Sequence, residues 1–170
     1  AGFGRLYRDW SFLGTLGAFT IGATALAVLT RRLRLRVPLV VVIAVGGGVL
    51  AATWLLFAST TRFGLPTRET VEAARRALEV SRARFDEVAA PAPVLPGFQL
   101  MAGVALWWAV WFADWAAFRL RTTVEAVTPA AVIFVFGALL GSGQYQVASA
   151  VAFAATVLLF VSAHRALRAQ

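Results

Sequence analysis

The sequence has no cysteine, no lysine and a single histidine, His164. Without cysteine, disulfides, thiolate metal sites and a cysteine nucleophile are excluded within these residues. One histidine excludes a multi-histidine metal site, and no cofactor is expected. All 16 basic residues are arginine, which beside abundant Ala, Gly and Val reads as a high-GC coding bias. Acids are scarce as well, eight Asp and Glu in 170 residues. Nucleotide-binding glycine motifs, zinc helices and serine elbows do not occur. The apolar runs also lack period-two alternation, which argues against a transmembrane β-barrel.

What is present is apolar. Hydrophobic residues make up 60% of the chain and the mean hydropathy is +0.77, against about 45–50% apolar in soluble domains. Several long runs produce that average, so the expected class is all-α, a polytopic transmembrane bundle. The net charge of +8 lies along the flanks of the apolar segments. That pattern fits membrane borders and the lipid bilayer as partner, and no nucleic acid is expected. The chain starts at Ala1 without a basic n-region, h-region and cleavage site. It is therefore expected to be an excerpt of something longer, read here as one transmembrane domain over 1–170.

Five spans are predicted, at about 12–30, 38–58, 98–120, 123–140 and 146–163. Tyr7 and Trp10 before the first suit a membrane interface, and Ser11 is a possible cap. In the first span Gly14, Ala18, Gly22 and Ala25 form a small-residue stripe, and Ala44, Gly48 and Ala52 repeat it in the second. In lipid such stripes let helices approach closely. Glycines 46–48 permit a bend or close packing. Arg31, Arg32, Arg34 and Arg36 occupy the short turn between these spans, and Pro38 opens the second. For the fourth span, Thr122 and Glu125 fit a capping box. Thr128-Pro129 leaves two starts open: a helix from Thr122 bent at Pro129, or a short one capped by Thr128. A tight turn follows at 141–144.

Between the second and third spans, 59–97 is the one sizeable polar region. Thr67 is the expected N-cap of an amphipathic helix over about 68–88, with Glu69 in its first turn. Val71, Ala74, Leu78, Phe85 and Val88 share one face. Glu72–Arg76, Arg75–Glu79 and Arg82–Asp86 are i,i+4 pairs worth a few tenths of a kcal/mol. This helix is expected to lie on the membrane or the other spans, or to dock a partner. Prolines 91, 93 and 96 end it.

The third span holds the candidate site residues. Its 23 residues make about 35 Å of helix at about 1.5 Å per residue, enough for a bilayer core of about 30 Å. It contains four of six tryptophans and one acid, Asp114. An acid inside a span costs about 2.5–3.5 kcal/mol at mid-membrane, less near an end. One reading makes Asp114 a proton or ion relay. The reading favoured by the lack of other intramembrane polar groups is a structural acid paired with arginine, from Arg31, Arg32, Arg34, Arg36, Arg165 or Arg168. Arg121 shares its face two turns away. Trp107, Trp111, Asp114 and Phe118 lie on one face, Trp108, Phe112, Trp115 and Arg119 on the next. Trp115–Arg119 has cation–π spacing. The aromatics are expected to pack and anchor, an aromatic lipid or quinone groove being the alternative.

The arginines at the short turns (31–36, 119 and 121, 165 and 168) fall on one side of the membrane. The N-terminus, 59–97 and 141–144 fall on the other. Raw arginine counts tie, but the short-turn arginines sit directly at span ends, where the positive-inside rule has most force. They are placed in the cytoplasm, with the loop 59–97 outside a bacterial inner membrane.

Several stretches resemble the membrane region of bacterial transglutaminase-like (TgpA-type) membrane proteins. They are Trp10-Ser-Phe-Leu13, Arg31-Arg-Leu-Arg-Leu-Arg36, Phe63-Gly-Leu-Pro-Thr67 with Glu69, and Trp111-Phe-Ala-Asp-Trp-Ala-Ala-Phe-Arg-Leu-Arg121 leading to Pro129. The resemblance implies an anchor and scaffold region for an extracytoplasmic cysteine protease-fold domain absent from these residues. The acyl chemistry would rest on that domain's Cys-His-Asp triad. No position here matches the triad, so no catalytic residue is carried over, and His164 is not its histidine. The alternative is a subunit of a transporter or membrane-assembly complex in which Asp114 is a functional acid.

Overall fold

The computed structural model describes residues 12–84, 95–120, 122–140 and 146–168. Its helices are α1 (Phe12–Arg32), α2 (Val37–Leu56), α3 (Arg68–Ala83), α4 (Pro96–Trp115), α5 (Thr123–Leu140) and α6 (Gln146–Arg168). A 3₁₀ turn occupies Ala58–Thr60, and a π-helical turn, Ala116–Leu120, continues α4. No strand occurs among the described residues. Three helical runs, Phe12–Arg32, Val37–Leu56 and Pro96–Leu120, are long and apolar enough to cross a membrane. The apolar stretches within α5 and α6 are shorter, Val124–Val135 and Val147–Ser162.

The chain divides into two compact units, one holding α1, α2, α3 and α4 as far as Trp111, the other running from Phe112 onward. In the first unit α1 and α2 pack as a hairpin. The turn between them begins as a Schellman motif: Leu35 N–H donates to the Thr30 carbonyl (3.2 Å) and Arg34 N–H to that of Arg31 (3.0 Å). Such a motif places its C′ residue in the left-handed region. Here that residue is Arg34, with φ 49°. Arg36 is the N-cap of α2 and Pro38 sits in its first turn, where a missing N–H breaks no bond.

The buried face of α1 differs from the expected stripe. Phe12, Leu16, Phe19, Ala23, Ala27 and Thr30 are buried; of the stripe, Ala18 and Gly22 are half-buried, with Gly22 beside the Trp107 ring, while Gly14 and Ala25 are exposed. Large rings fill one half of the face, and alanines allow close approach along the other. The stripe on α2 is on the packed side: Ala44 is buried, and Gly48 lies against the Trp107 indole. Phe19, Ala23, Ala27, Ala44, Trp107 and Trp111 form the core.

α3 is capped as the sequence predicts. Thr67 Oγ1 accepts from Thr70 N–H, and Thr70 Oγ1 accepts from Thr67 N–H. Thr67 Oγ1 also donates to the Thr60 carbonyl at 2.8 Å, joining the 3₁₀ turn to the helix start. The buried edge of α3 runs beside its apolar face. Thr70 and Ser81 are buried and Ala74 and Ala77 half-buried between them, while Val71 and Leu78 are exposed. The physical reason is Gly97 in the first turn of α4. A Cβ there would collide with the Ala77 carbonyl and Ser81 Oγ, so the two helices meet at backbone distance. Leucine or valine could not occupy that contact. Of the three ion pairs, Arg75–Glu79 forms at 2.9 Å, and Arg76 Nε donates instead to the Glu72 carbonyl. Residues 85–88 and the Arg82–Asp86 pair lie outside the described residues.

In the second unit Ala116 and Ala117 of the π turn pack on Ala126 of α5. Thr122 N–H donates to the Ala116 carbonyl at 3.0 Å. α5 starts at Thr123 and runs through Pro129, so the first of the two starts is taken. Thr128 does not cap; its hydroxyl bonds back to the Val124 carbonyl at 2.9 Å. Phe134 of α5 stacks on Phe153 of α6, centroids 4.5 Å apart. α6 continues to Arg168, five residues beyond the predicted span end at 163.

Candidate functional site

The first unit contains an apolar cleft of about 350 Å³ between α2, α3 and α4. Helix α2 supplies Ala44, Gly48, Ala52 and Thr53, α3 supplies Thr70 and Val71, and α4 supplies Leu100, Val104, Trp107 and Trp108. Trp107 sets the inner wall. It is 2% exposed, and its Nε1–H donates to the Ala44 carbonyl at 2.9 Å. The glycine at 48 makes this possible, because its missing side chain leaves space for the indole. The hydroxyl of Thr70 is engaged by Thr60 and Thr67, so the α3 wall presents carbon to the cleft. Walls of this chemistry hold an acyl chain or another apolar body by burial alone. Among the described residues no three His, Asp or Glu side chains gather as a metal site.

The predicted site residues fall in different places. Trp107 and Trp111 are buried, and Trp108, Phe112 and Trp115 are exposed; Phe118, on the Trp107–Trp111 face, is exposed as well, so the packed face ends before the π turn. Trp111 Nε1 is buried without a hydrogen-bond partner. Trp115 is tilted against Phe112, centroids 6.1 Å apart. Asp114 is half-buried, one residue before Trp115 and two before the π turn. Asp114 and Arg119 are each engaged by a partner, and Arg119 is exposed. Arg32 and Arg34 are exposed at the end of α1 and in its turn. Arg121 lies outside the described residues, as do the side chains of Arg165 and Arg168.

Three features were not anticipated from the sequence. The cleft joins four helices, α1 contributing Phe19, and its lining residues span 19 to 108. The π turn after Asp114 has no compositional signature. The third feature is a tight turn at 62–65. Leu65 N–H donates to Arg62 (3.0 Å) and Arg62 N–H to Leu65 (3.2 Å), with Phe63 and Gly64 both at positive φ. Asn-Gly in its place would have announced it; Phe-Gly did not.

No protein-family model, curated protein or solved structure matches the chain.

Proposed function

We propose that the chain is a multi-pass membrane anchor and scaffold. In this reading five helices cross a bacterial inner membrane, the 31–36 turn faces the cytoplasm, and the 59–97 loop faces outward. The observation that carries it is α2. That helix is apolar all round, and Leu39, Val41, Val42 and Trp54 point away from the packed core. A helix apolar on every side yet exposed on one fits lipid as its outer solvent. Asp114 serves as a structural acid, tied to arginine at the cytoplasmic end. Following the resemblance, the scaffold holds a transglutaminase-like extracytoplasmic domain, and these residues perform no catalysis. The half-buried acid just before a π turn supports the second reading, a transporter or assembly subunit, because π turns recur at functional sites.

These residues contain no cysteine, so the test is direct once the cysteines of any attached domain are replaced by serine. Single variants Ser59→Cys and Leu33→Cys are treated in intact cells with a membrane-impermeant maleimide. Labelling is expected at 59 and only after permeabilisation at 33. Equal labelling of both positions in intact cells overturns the sidedness. Sequencing the reading frame around the chain tests the attached domain: a frame without a Cys-His-Asp domain removes the transglutaminase-like assignment. Ion flux lost in Asp114→Asn with stability intact would favour the second reading.

A further inference from the structure

Phe63 is the most exposed large apolar residue among those described, at 96%. It is held outward by a backbone that phenylalanine rarely adopts. Its φ is 53° and that of Gly64 is 75°, the pattern of a two-residue type I′ turn. Gly, Asn or Asp usually fill the first position, and a bulky residue there is an outlier. The turn is also tied down. Trp54 Nε1–H donates to the Gly64 carbonyl at 2.6 Å. Trp54 lies in the last turn of α2, so the turn sits at the level where that helix ends.

The surroundings combine apolar and charged side chains. Leu65 and Val71 are 61% and 66% exposed. Arg62 directly precedes Phe63, Arg68 follows Pro66 and Thr67, and both are exposed. Glu69, next to Arg68, and Glu72 one turn on are exposed too. An apolar tip with guanidinium groups beside it matches a lipid boundary, where phosphates lie just above acyl chains. The surface is also continuous with the outward apolar side of α2 through Trp54.

We propose that the 62–65 turn is a lipid anchor. The Phe63 ring inserts at the boundary between headgroups and acyl chains of the bilayer that α2 crosses, and Arg62 and Arg68 engage phospholipid phosphates. The inference rests on the membrane reading of α2. The strained turn serves to hold an aromatic side chain outward at fixed depth, which a flexible loop would not do.

Nitroxide labels test it in the full chain, reconstituted in vesicles of phosphatidylcholine with phosphatidylglycerol. Single sites are Phe63→Cys, Leu65→Cys, Val42→Cys and Arg84→Cys. Collision rates with oxygen and with a water-soluble nickel chelate report depth. The expected order from lipid-like to aqueous is 42, then 63 and 65, then 84, with oxygen preference at 63 several-fold above that at 84. A label at 63 as aqueous as at 84, or shielded from both reagents as in a protein contact, overturns the anchor. If the label at 42 is itself aqueous, the membrane reading of α2 fails and the anchor with it. A second arm adds Phe63→Asn to Leu65→Cys. Asparagine tolerates the positive φ, so the thermal midpoint should hold while the label at 65 shifts several-fold toward water. An unchanged depth at 65 also overturns the role of Phe63.

Discussion

The indole N–H of Trp107 donates to the backbone carbonyl of Ala44 at 2.9 Å, a buried bond between residues 63 positions apart. A helix carbonyl keeps a lone pair after its own i+4 bond. The tryptophan uses that capacity, and so joins α4 to α2 without breaking either helix. In an interior without water, an indole N–H has few other ways to be satisfied.

Trp107 and Trp111 are therefore expected to respond differently to the same change. Trp107→Phe loses the bond to Ala44 and some packing, a loss of about 1–2 kcal/mol. Trp111→Phe removes a buried N–H that has no partner, and should be neutral within about 0.5 kcal/mol or stabilising. Reversible unfolding in bicelles measures both. Equal losses at the two positions would contradict the partner assignment.

Glycines offer a second contrast. A Cβ on Gly97 would collide with the Ala77 carbonyl, whereas one on Gly46 meets nothing within 4 Å. Gly97→Ala should destabilise by about 1–3 kcal/mol through forced separation of α3 and α4. Gly46→Ala should stabilise by about 0.5–1 kcal/mol, since glycine in mid-helix carries an entropic disadvantage. Ser81→Ala, which removes a buried hydroxyl without a partner, is expected to leave the thermal midpoint unchanged or raised.

Arg34 occupies the left-handed position of a Schellman motif. Arg34→Gly should raise stability by about 1 kcal/mol, while Arg34→Ala should not, because alanine keeps the Cβ that opposes this conformation. Thermal midpoints of the two variants decide the matter.

Thr70 Oγ1 accepts from Thr67 N–H and reaches the Thr60 carbonyl, both at 3.0 Å. Thr70→Val keeps the shape and removes both contacts. A loss of about 1–2 kcal/mol is expected, confined to the α3 start. Amide exchange at 67–71 should accelerate while that of α1 stays the same; uniform acceleration would instead indicate loss of the whole unit.

On the scaffold reading, Asp114→Asn should lower the thermal midpoint by breaking a charge pair near the end of a span. An unchanged midpoint together with normal assembly would count against that pairing.

The amino-acid sequence determined the class and the local punctuation. Long apolar runs demand helices, because only a helix satisfies its own backbone groups in an apolar medium. Thr67 and Pro38 marked helix starts, since caps and prolines act through bonds within one turn. Which face is buried was decided by tertiary structure alone. A helix apolar all round has no polar side to orient it, so of the small-residue stripe on α1 Gly22 meets Trp107 while Gly14 and Ala25 are exposed, and the buried face is Phe12–Phe19–Ala27. On α3 a polar side exists, yet contact with Gly97 chose the small residues over Val71 and Leu78. The same holds for Arg34 and Phe63, whose side chains do not suggest left-handed backbone. Their conformations follow from bonds closing a motif around them, Leu35 to Thr30 in one and Trp54 to Gly64 in the other. The cleft behind Trp107 exists only where four helices distant in sequence come together, and no local rule encodes that meeting.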